Sequence, residues 1–428
     1  VLLTPVGATA QTLLEVYEAA RGYDAAYLAA RAQAESAQFR AEQTEALLRP
    51  SASLSGSLTR QESDPPVVDR RSLNNAQVAL QARQPLYNRA SGAAVDQARR
   101  SLEAAAADLE AAEQDLILRV SQAYFDVLAS QDALATVQAS KKFITEQRAS
   151  ARRNFEVGNA TITDTREAQA RFDLVNAQEI AAENDLRTKR IALDQLVGRT
   201  GVQPKGLAVP VALPPVTPDA VEDWVTRGLA QHPSVRRAQT ALEIARLETE
   251  RARAGHSPTV DLVGSLSSSR STGSAVAPPT SRPGTTNAAS IGVQLNLPLY
   301  TGGSVQNRIR ETLLLEERSR NDLEAARRGV AQGTRQAFFG VQSGQAQVKA
   351  LEAAESSSQL ALEATQTGYR VGVRVNLDVL NAQSQLFTTQ RDLARARYDV
   401  LLGSLRLRQA SGQLGAPDVA ALNRLLAP

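Results

Sequence analysis

Gln122-Ala123-Tyr124-Phe125 and Phe155-Glu156-Val157-Gly158 each recur 214 residues further on, as Gln336-Ala337-Phe338-Phe339 and Tyr369-Arg370-Val371-Gly372. At the same offset Asp164 returns as Asp378, Ala168-Gln169 as Ala382-Gln383, and Gly198 as Gly412. Pro85-Leu86-Tyr87 returns as Pro298-Leu299-Tyr300 at an offset one residue shorter, which puts the length difference in a loop. This period is far too long for a solenoid unit. The chain is therefore a duplication of a whole domain.

Around the repeated motifs lie long helical stretches. From 90 to 154 there is no proline and glycine only at position 92. A 4-3 spacing started at Leu102 lands on Ala106, Leu109, Leu116, Val120, Ala123, Val127, Leu134, Val137 and Ile144, and misses at Glu113, Ser130 and Lys141. Spacing sustained over that distance is a coiled-coil seam. Ile117, Tyr124 and Leu128 lie off it, as they would if the helix met a second neighbour. The copy over 306–368 behaves alike. Each long helix has about 65 residues, a length of about 100 Å at ~1.5 Å per residue. Two shorter helices per repeat, one before the strands and one after Gly158 or Gly372, would match one long helix when stacked end to end.

Before each long helix the period changes from helical to two. Over 51–62, Ala52, Leu54, Gly56 and Leu58 alternate with serines, and after a turn-rich stretch (63–75) Ala76, Val78, Leu80 and Ala82 alternate with Gln77, Ala79, Gln81 and Arg83. In the second repeat Val260 and Leu262 open a strand after Pro258. A Ser/Gly/Pro/Thr-rich loop follows over 267–287. Ile291, Val293, Leu295 and Leu297 then alternate with polar or small residues. One apolar and one polar face define a strand, and the lengths suit a tilted barrel strand of about 9–11 residues. Tyr87 and Tyr300, just past Pro85 and Pro298, are candidate membrane-interface aromatics.

The expected organisation is a first repeat over 1–202 (helix, strand hairpin 51–85, coiled-coil hairpin 90–198) and a linker over 203–218. A second repeat spans 219–412 (helix, strand hairpin 259–298, coiled-coil hairpin 304–412), with a tail over 413–428. Helices are expected over 11–48 and 219–254. The fold class is α+β and mostly helical, with four strands per chain. Four strands cannot close a barrel, and an open sheet edge in lipid leaves unpaired backbone groups. The chain must oligomerise: a dimer gives eight strands with a filled interior, a trimer twelve with an aqueous lumen.

Composition agrees. Among 428 residues aromatics are 4%, Cys and Met are absent, and the net charge is +3. Acids and bases interleave along the helices, so no nucleic-acid partner is expected. Zero cysteine removes disulfides, thiol catalysis and Cys-based metal sites. No run of about 18 apolar residues is present, so membrane entry requires strands. The start at Val1 fits a processed chain. The only histidines, His232 and His256, stand too far apart for a ligand pair, and no serine has a His and acid partner set. Gly302-Gly303 lacks the further glycines, or the Gly-Lys pair, of a phosphate loop. No catalytic, metal or cofactor site is expected, and the chain is not read as an enzyme.

The order helix, strand hairpin, long helical hairpin, given twice, resembles the TolC family of trimeric outer-membrane exit ducts. The resemblance is carried by Phe155-Glu156-Val157-Gly158 with Ile162-Thr163-Asp164, by Tyr369-Arg370-Val371-Gly372-Val373-Arg374 with Leu377-Asp378-Val379-Leu380-Asn381-Ala382, and by Asp392-Leu393-Ala394-Arg395-Ala396-Arg397-Tyr398. It covers about Leu13 to Leu426. It implies a homotrimer in which a twelve-stranded barrel in outer-membrane lipid stands on a helical barrel crossing the periplasm. It further implies docking to a periplasmic adaptor (membrane fusion protein) and an inner-membrane transporter of ABC or RND type, for type I protein secretion or multidrug efflux. Carried over residue by residue, Asp378 is the constriction of the periplasmic gate, giving three converging carboxylates that attract multivalent cations. Tyr369 and Arg374 tether the closed state, with Asp164 on the neighbouring outer coil as partner, and Gly158 and Gly372 mark the adaptor-docking turns. Asn381 stands where the family often has a second aspartate, so cation affinity is expected to be weaker here. The competing reading is a soluble periplasmic coiled-coil scaffold or adaptor subunit.

Overall fold

The structure, a computed structural model, describes residues 10–64, 66, 71–158, 160–208, 210–211, 213–273 and 284–427. Residues 65 and 67–70 of the first turn-rich stretch, 274–283 of the second loop, and the start at Val1 lie outside the described residues. The described chain divides into two compact units. One comprises 33–106 and 237–324; the other comprises 1–32, 107–236 and 325–428. Each unit takes segments from both sequence repeats.

The first of these units holds a four-stranded antiparallel sheet: β1 Ser51–Ser63, β2 Arg71–Asn88, β3 Thr259–Thr272 and β4 Gly284–Asn296, paired in chain order. Leu54 lies opposite Leu80, Leu80 opposite Leu266, and Leu262 opposite Val293, so the register gathers the apolar positions on one face. That face is uncovered: Leu58 is 85% exposed and Ile291 81%. Soluble sheets do not leave such a stripe in water. The alternation expected from the sequence is thus a two-faced sheet. Pairing of β2 with β3 joins the two hairpins into one sheet and contains a bulge at Pro85–Tyr87, where proline has no N–H to offer the ladder.

The long helices are α3 Arg89–Glu156 and, in the second repeat, α7 Ser304–Arg370; each is followed by a shorter helix, α4 Ile162–Val197 and α8 Asn376–Ala410. The single helices expected over 11–48 and 219–254 are each broken in two. The first becomes α1 Leu13–Arg21 and α2 Ala25–Glu45; the second becomes α5 Val221–Gln231 and α6 Pro233–Arg253. Asp24 causes the first break by accepting the Tyr27 N–H at 2.8 Å, an N-cap that starts a new helix. His232 causes the second: Pro233 takes the first helical position, and the His232 ring Nδ1 accepts the Ser234 N–H at 3.1 Å. The expected tail contains one more helix, α9 Ala416–Asn423.

In the second compact unit the seam of α3 is a core. Leu116, Val120 and Val127 are fully buried, and so are Ile117 and Tyr124 from the off-seam set. Ile117, Tyr124 and Leu128 join one cluster with Leu13, Tyr17, Leu193, Leu401 and Leu405, so α3 does meet several neighbours. The three misses in the seam are polar side chains with partners. Glu113 accepts from Tyr17 at 2.9 Å, Ser130 donates to Asp185 at 2.7 Å, and Lys141 binds Asn176 and Glu179. The linker is tied to both termini: Gln11 N–H donates to Gln203, Lys205 N–H to Gln11, and Ala208 N–H to Leu425. Tyr124, the third letter of the repeated motif, donates its hydroxyl toward Gln11 and Lys205 carbonyls at 3.0 Å each.

Candidate functional site

Two tight turns, one between α3 and α4 and one between α7 and α8, lie side by side. Gly158 and Gly372 occupy them with φ of 83° and 82°, the left-handed region in which side chains are strained. Asn154, near the end of α3, donates its amide to the Tyr369 hydroxyl at 3.4 Å, linking the ends of the two long helices. Gly368 allows close return of the chain: Val373 and Arg374 N–H groups both reach its carbonyl, and a Cβ there would stand 2.8 Å from Arg374 Cγ.

Asp164 and Asp378, equivalent in the repeat, both sit three positions past a helix cap. Their surroundings differ. Asp164 accepts from the Thr161 N–H at 2.9 Å and its hydroxyl at 2.8 Å, and the same hydroxyl accepts from Asp164 N–H at 3.2 Å. This is a complete capping box. At the equivalent cap of α8 the residue is Val375, which has no hydroxyl, and Asp378 accepts only the Val375 N–H at 3.4 Å. Its other neighbour is the Arg374 guanidinium at 3.7 Å, an exposed pair. Asp378 is therefore weakly held, and Asp164 firmly. Within the chain Arg374 faces Asp378, Tyr369 faces Asn154, and Asp164 faces Thr161.

Asn381, one turn beyond Asp378, accepts a 2.9 Å hydrogen bond from Arg171 on α4. This contact joins the two shorter helices. Sequence reasoning named Asn381 but missed Arg171, since nothing in the local pattern marks one exposed arginine of α4 as facing a residue 210 positions away. Beneath these side chains α8 turns Val379 and Leu380 inward, against Leu362 and Leu386 and against Ile144 and Val175 respectively. Asn376 and Gln383 are buried on the same helix.

Tyr87 and Tyr300 belong to the other compact unit. Tyr87 lies opposite Val260 on the apolar face near the end of β2, and Tyr300 follows β4 and is 90% exposed. Among the described residues no cluster of His, Cys, Asp and Glu could hold a metal ion. No described helix is long and apolar enough to cross a membrane.

The sequence pattern described as outer membrane efflux protein matches residues 16–199 and again 224–413. The chain belongs to this family. It is 32% identical to the outer membrane protein TolC of Vibrio cholerae, over 97% of this chain and 93% of that protein. It is 33% identical to the alkaline protease secretion protein AprF of Pseudomonas aeruginosa, over 72% of this chain and 63% of that one. The solved structure of CusC superposes with a TM-score of 0.82 at 18% identity, covering 95% of this chain and 93% of that one. That likeness shows the fold: long helices with four antiparallel strands, given as two repeats. The protein is an outer-membrane export channel. The scaffold or adaptor reading falls with that assignment.

Proposed function

We propose that three copies of this outer membrane efflux protein assemble into a passive duct. Each copy contributes four strands to a twelve-stranded barrel and its long helices to a conduit across the periplasm. The observation that carries this reading is the sheet. It is apolar on one face, polar on the other, and has unpaired edges at β1 and β4, which lipid does not tolerate until they are closed on a neighbour. Tyr87 and Tyr300 then sit where an interfacial girdle belongs.

The gate lies at the paired turns. Three copies of Asp378 converge to form the constriction, with Asn381 one turn away adding no charge. Tyr369 and Arg374 hold the closed arrangement against Asp164 on the neighbouring outer coil. The turns at Gly158 and Gly372 receive a periplasmic adaptor, through which the duct couples to an inner-membrane transporter. The duct has no enzymatic role: the energy and the choice of cargo belong to the transporter. Type I protein secretion is placed ahead of multidrug efflux, because AprF is named for secretion of a protease.

The test is single-channel recording of the purified protein in a planar bilayer, beside Asp378→Ala. Small, cation-preferring channels that lose preference in the variant support both duct and gate. Channels indifferent to the substitution retain the duct and remove Asp378 from the gate. A folded oligomer that never inserts overturns the duct.

A further inference from the structure

Among the described side chains, the polar face of the sheet carries almost no charge, and the one charged pair on it cancels itself. Along β1 this face presents Ser51, Ser53, Ser55, Ser57, Thr59 and Gln61, opposite Gln81, Ala79 and Gln77 of β2. Along β3 it presents Ser265, Ser267, Ser269 and Ser271, opposite Ser290, Ala288 and Thr286 of β4. Ser265 and Ser290 hydroxyls meet at 2.8 Å, and the Ser55 hydroxyl donates to the Ala79 carbonyl at 3.3 Å. The other strand charges described, Arg60, Glu62 and Arg270, fall on the apolar side of the alternation, in the halves of β1 and β3 away from the helices.

Among the described side chains of the strands, only Arg83 and Asp261 put charge on the polar face. They stand on adjacent strands: Arg83 lies opposite Val263, and Asp261 opposite Pro85. The Arg83 guanidinium meets the Asp261 carboxylate at 2.7 Å. Asp261 is 7% exposed, and its second oxygen, also buried, has no hydrogen-bond partner. Among the described residues, a carboxylate so placed has Arg83 as its one counter-charge. Pro85 opposite it has no N–H to donate, so the backbone does not replace that counter-charge.

We infer that the Arg83–Asp261 pair is a selectivity-determining element of the channel: it keeps the helix-proximal part of the barrel wall without net fixed charge, so that this stretch of the path neither retains nor repels cargo of either sign. The inference rests on the channel reading, in which the polar face lines the lumen. Hydroxyl and amide groups wet that wall and exchange hydrogen bonds with any polar cargo. Three unpaired aspartates or arginines would instead form a charged ring. A unit charge about 10 Å from a passing ion acts with little screening at ~10 mM salt, where the Debye length is about 30 Å, and is screened almost fully at ~1 M, where it is about 3 Å.

The experiment places Arg83→Gln, Asp261→Asn and the double variant in an Asp378→Asn background, which removes the other proposed charge from the path. Reversal potentials are measured in potassium chloride gradients at low salt and again near 1 M. Arg83→Gln is expected to shift the potassium-to-chloride permeability ratio toward cations, by about twofold at low salt, and Asp261→Asn toward anions by a similar factor. The double variant is expected to return to the parent value, and both single shifts are expected to vanish at high salt. Shifts of one sign in both single variants, no shift in either, or a double variant that stays displaced each overturn the inference. A purely structural pair predicts that last pattern, since removing both partners leaves the packing defect in place. Failure of the parent to form channels strikes the channel reading instead, so the two failures are distinguishable.

Discussion

Replacing Arg171 by alanine removes the one side-chain hydrogen bond found, among the described residues, between α4 and the constriction segment of α8. Its guanidinium donates to Asn381 at 2.9 Å, and both side chains are at least partly open to solvent. A hydrogen bond from a charged donor contributes about 1.5–3 kcal/mol when well shielded. At an exposed site, with a neutral acceptor, about 0.5–1 kcal/mol remains. If α4 and α8 separate when the gate opens, that contribution is lost once per protomer, and three protomers sum to about 1.5–3 kcal/mol. The ratio of open to closed channels should then rise about 10- to 150-fold in Arg171→Ala. Single-channel recording reads this as longer and more frequent openings at unchanged unit conductance. Asn381→Ala should act in the same direction, and the double variant should go no further than either single change, because both remove the same bond. Arg171→Gln separates the bond from the charge: it keeps a donor and loses the cation. The reasoning is refuted if Arg171→Ala opens no more often than the wild type. It is also refuted if the two substitutions add fully, which would mean that the two residues act through separate contacts.

Two further predictions concern the body of the molecule. Gly198 and Gly412 adopt φ of 71° and 69°, and a Cβ at either would stand 2.5 Å from the Tyr23 ring or from His232 Cα. Alanine at each position should cost about 2–4 kcal/mol in thermal or denaturant unfolding. Gly158→Ala, with open space around it, should show only the conformational part, about 1–2 kcal/mol. Asp24 is held below the usual carboxylate range, chiefly by its two hydrogen bonds from Arg119 at 2.8 and 3.0 Å, with the Tyr27 backbone N–H adding to them against burial. Its folded pKa is depressed, so its stabilisation is present above the unfolded value of about 4 and is lost as pH falls through the folded value. Asp24→Asn keeps the cap and loses the ion pair; at neutral pH it should cost about 2–3 kcal/mol, discounted because Arg119 is a third exposed. Its unfolding midpoint should converge on that of the wild type below pH 4.

How far the sequence carried can be judged from α3. The 4-3 spacing located the buried positions, because a helix seam is a local property of one segment. Its misses were not errors of spacing. Glu113, Ser130 and Lys141 occupy seam positions because Tyr17, Asp185 and Glu179 stand opposite to bind them. Those partners lie on other helices, and the template follows one helix alone. The broken helices were missed for a related reason. The apolar pattern runs on through Gly22 and His232, and the side-chain caps that interrupt it, Asp24 and the His232 ring, depend on hydrogen-bond geometry rather than on apolar spacing. Identical letters also proved unequal: in the second copy of the motif Phe338 is 4% exposed while Phe339 is 53%, whereas Tyr124 and Phe125 in the first copy are both buried.

The duplication itself explains why only one of two equivalent aspartates is suited to a gate. Asp164 and Asp378 arose at the same position, and at that position an acid is favourable simply because it faces the positive end of a helix. In the first repeat Thr161 completes the arrangement: its N–H and hydroxyl bind the Asp164 carboxylate at 2.9 and 2.8 Å, and the Asp164 N–H returns to that hydroxyl at 3.2 Å. In the second repeat the cap is Val375; the hydroxyl is gone, and a single 3.4 Å contact remains. The substitution leaves Asp378 with lone pairs free for groups outside its helix, which is what a carboxylate must have to meet its counterparts or a passing cation. Val375→Thr should therefore restore the box, draw Asp378 back onto the α8 N-terminus, and stabilise that end by about 1 kcal/mol, measurable as slower amide exchange over 376–380. It should also weaken block by multivalent cations in the bilayer while leaving the number of carboxylates unchanged. Slower exchange with undiminished block would show that the freedom of Asp378 has no bearing on the gate.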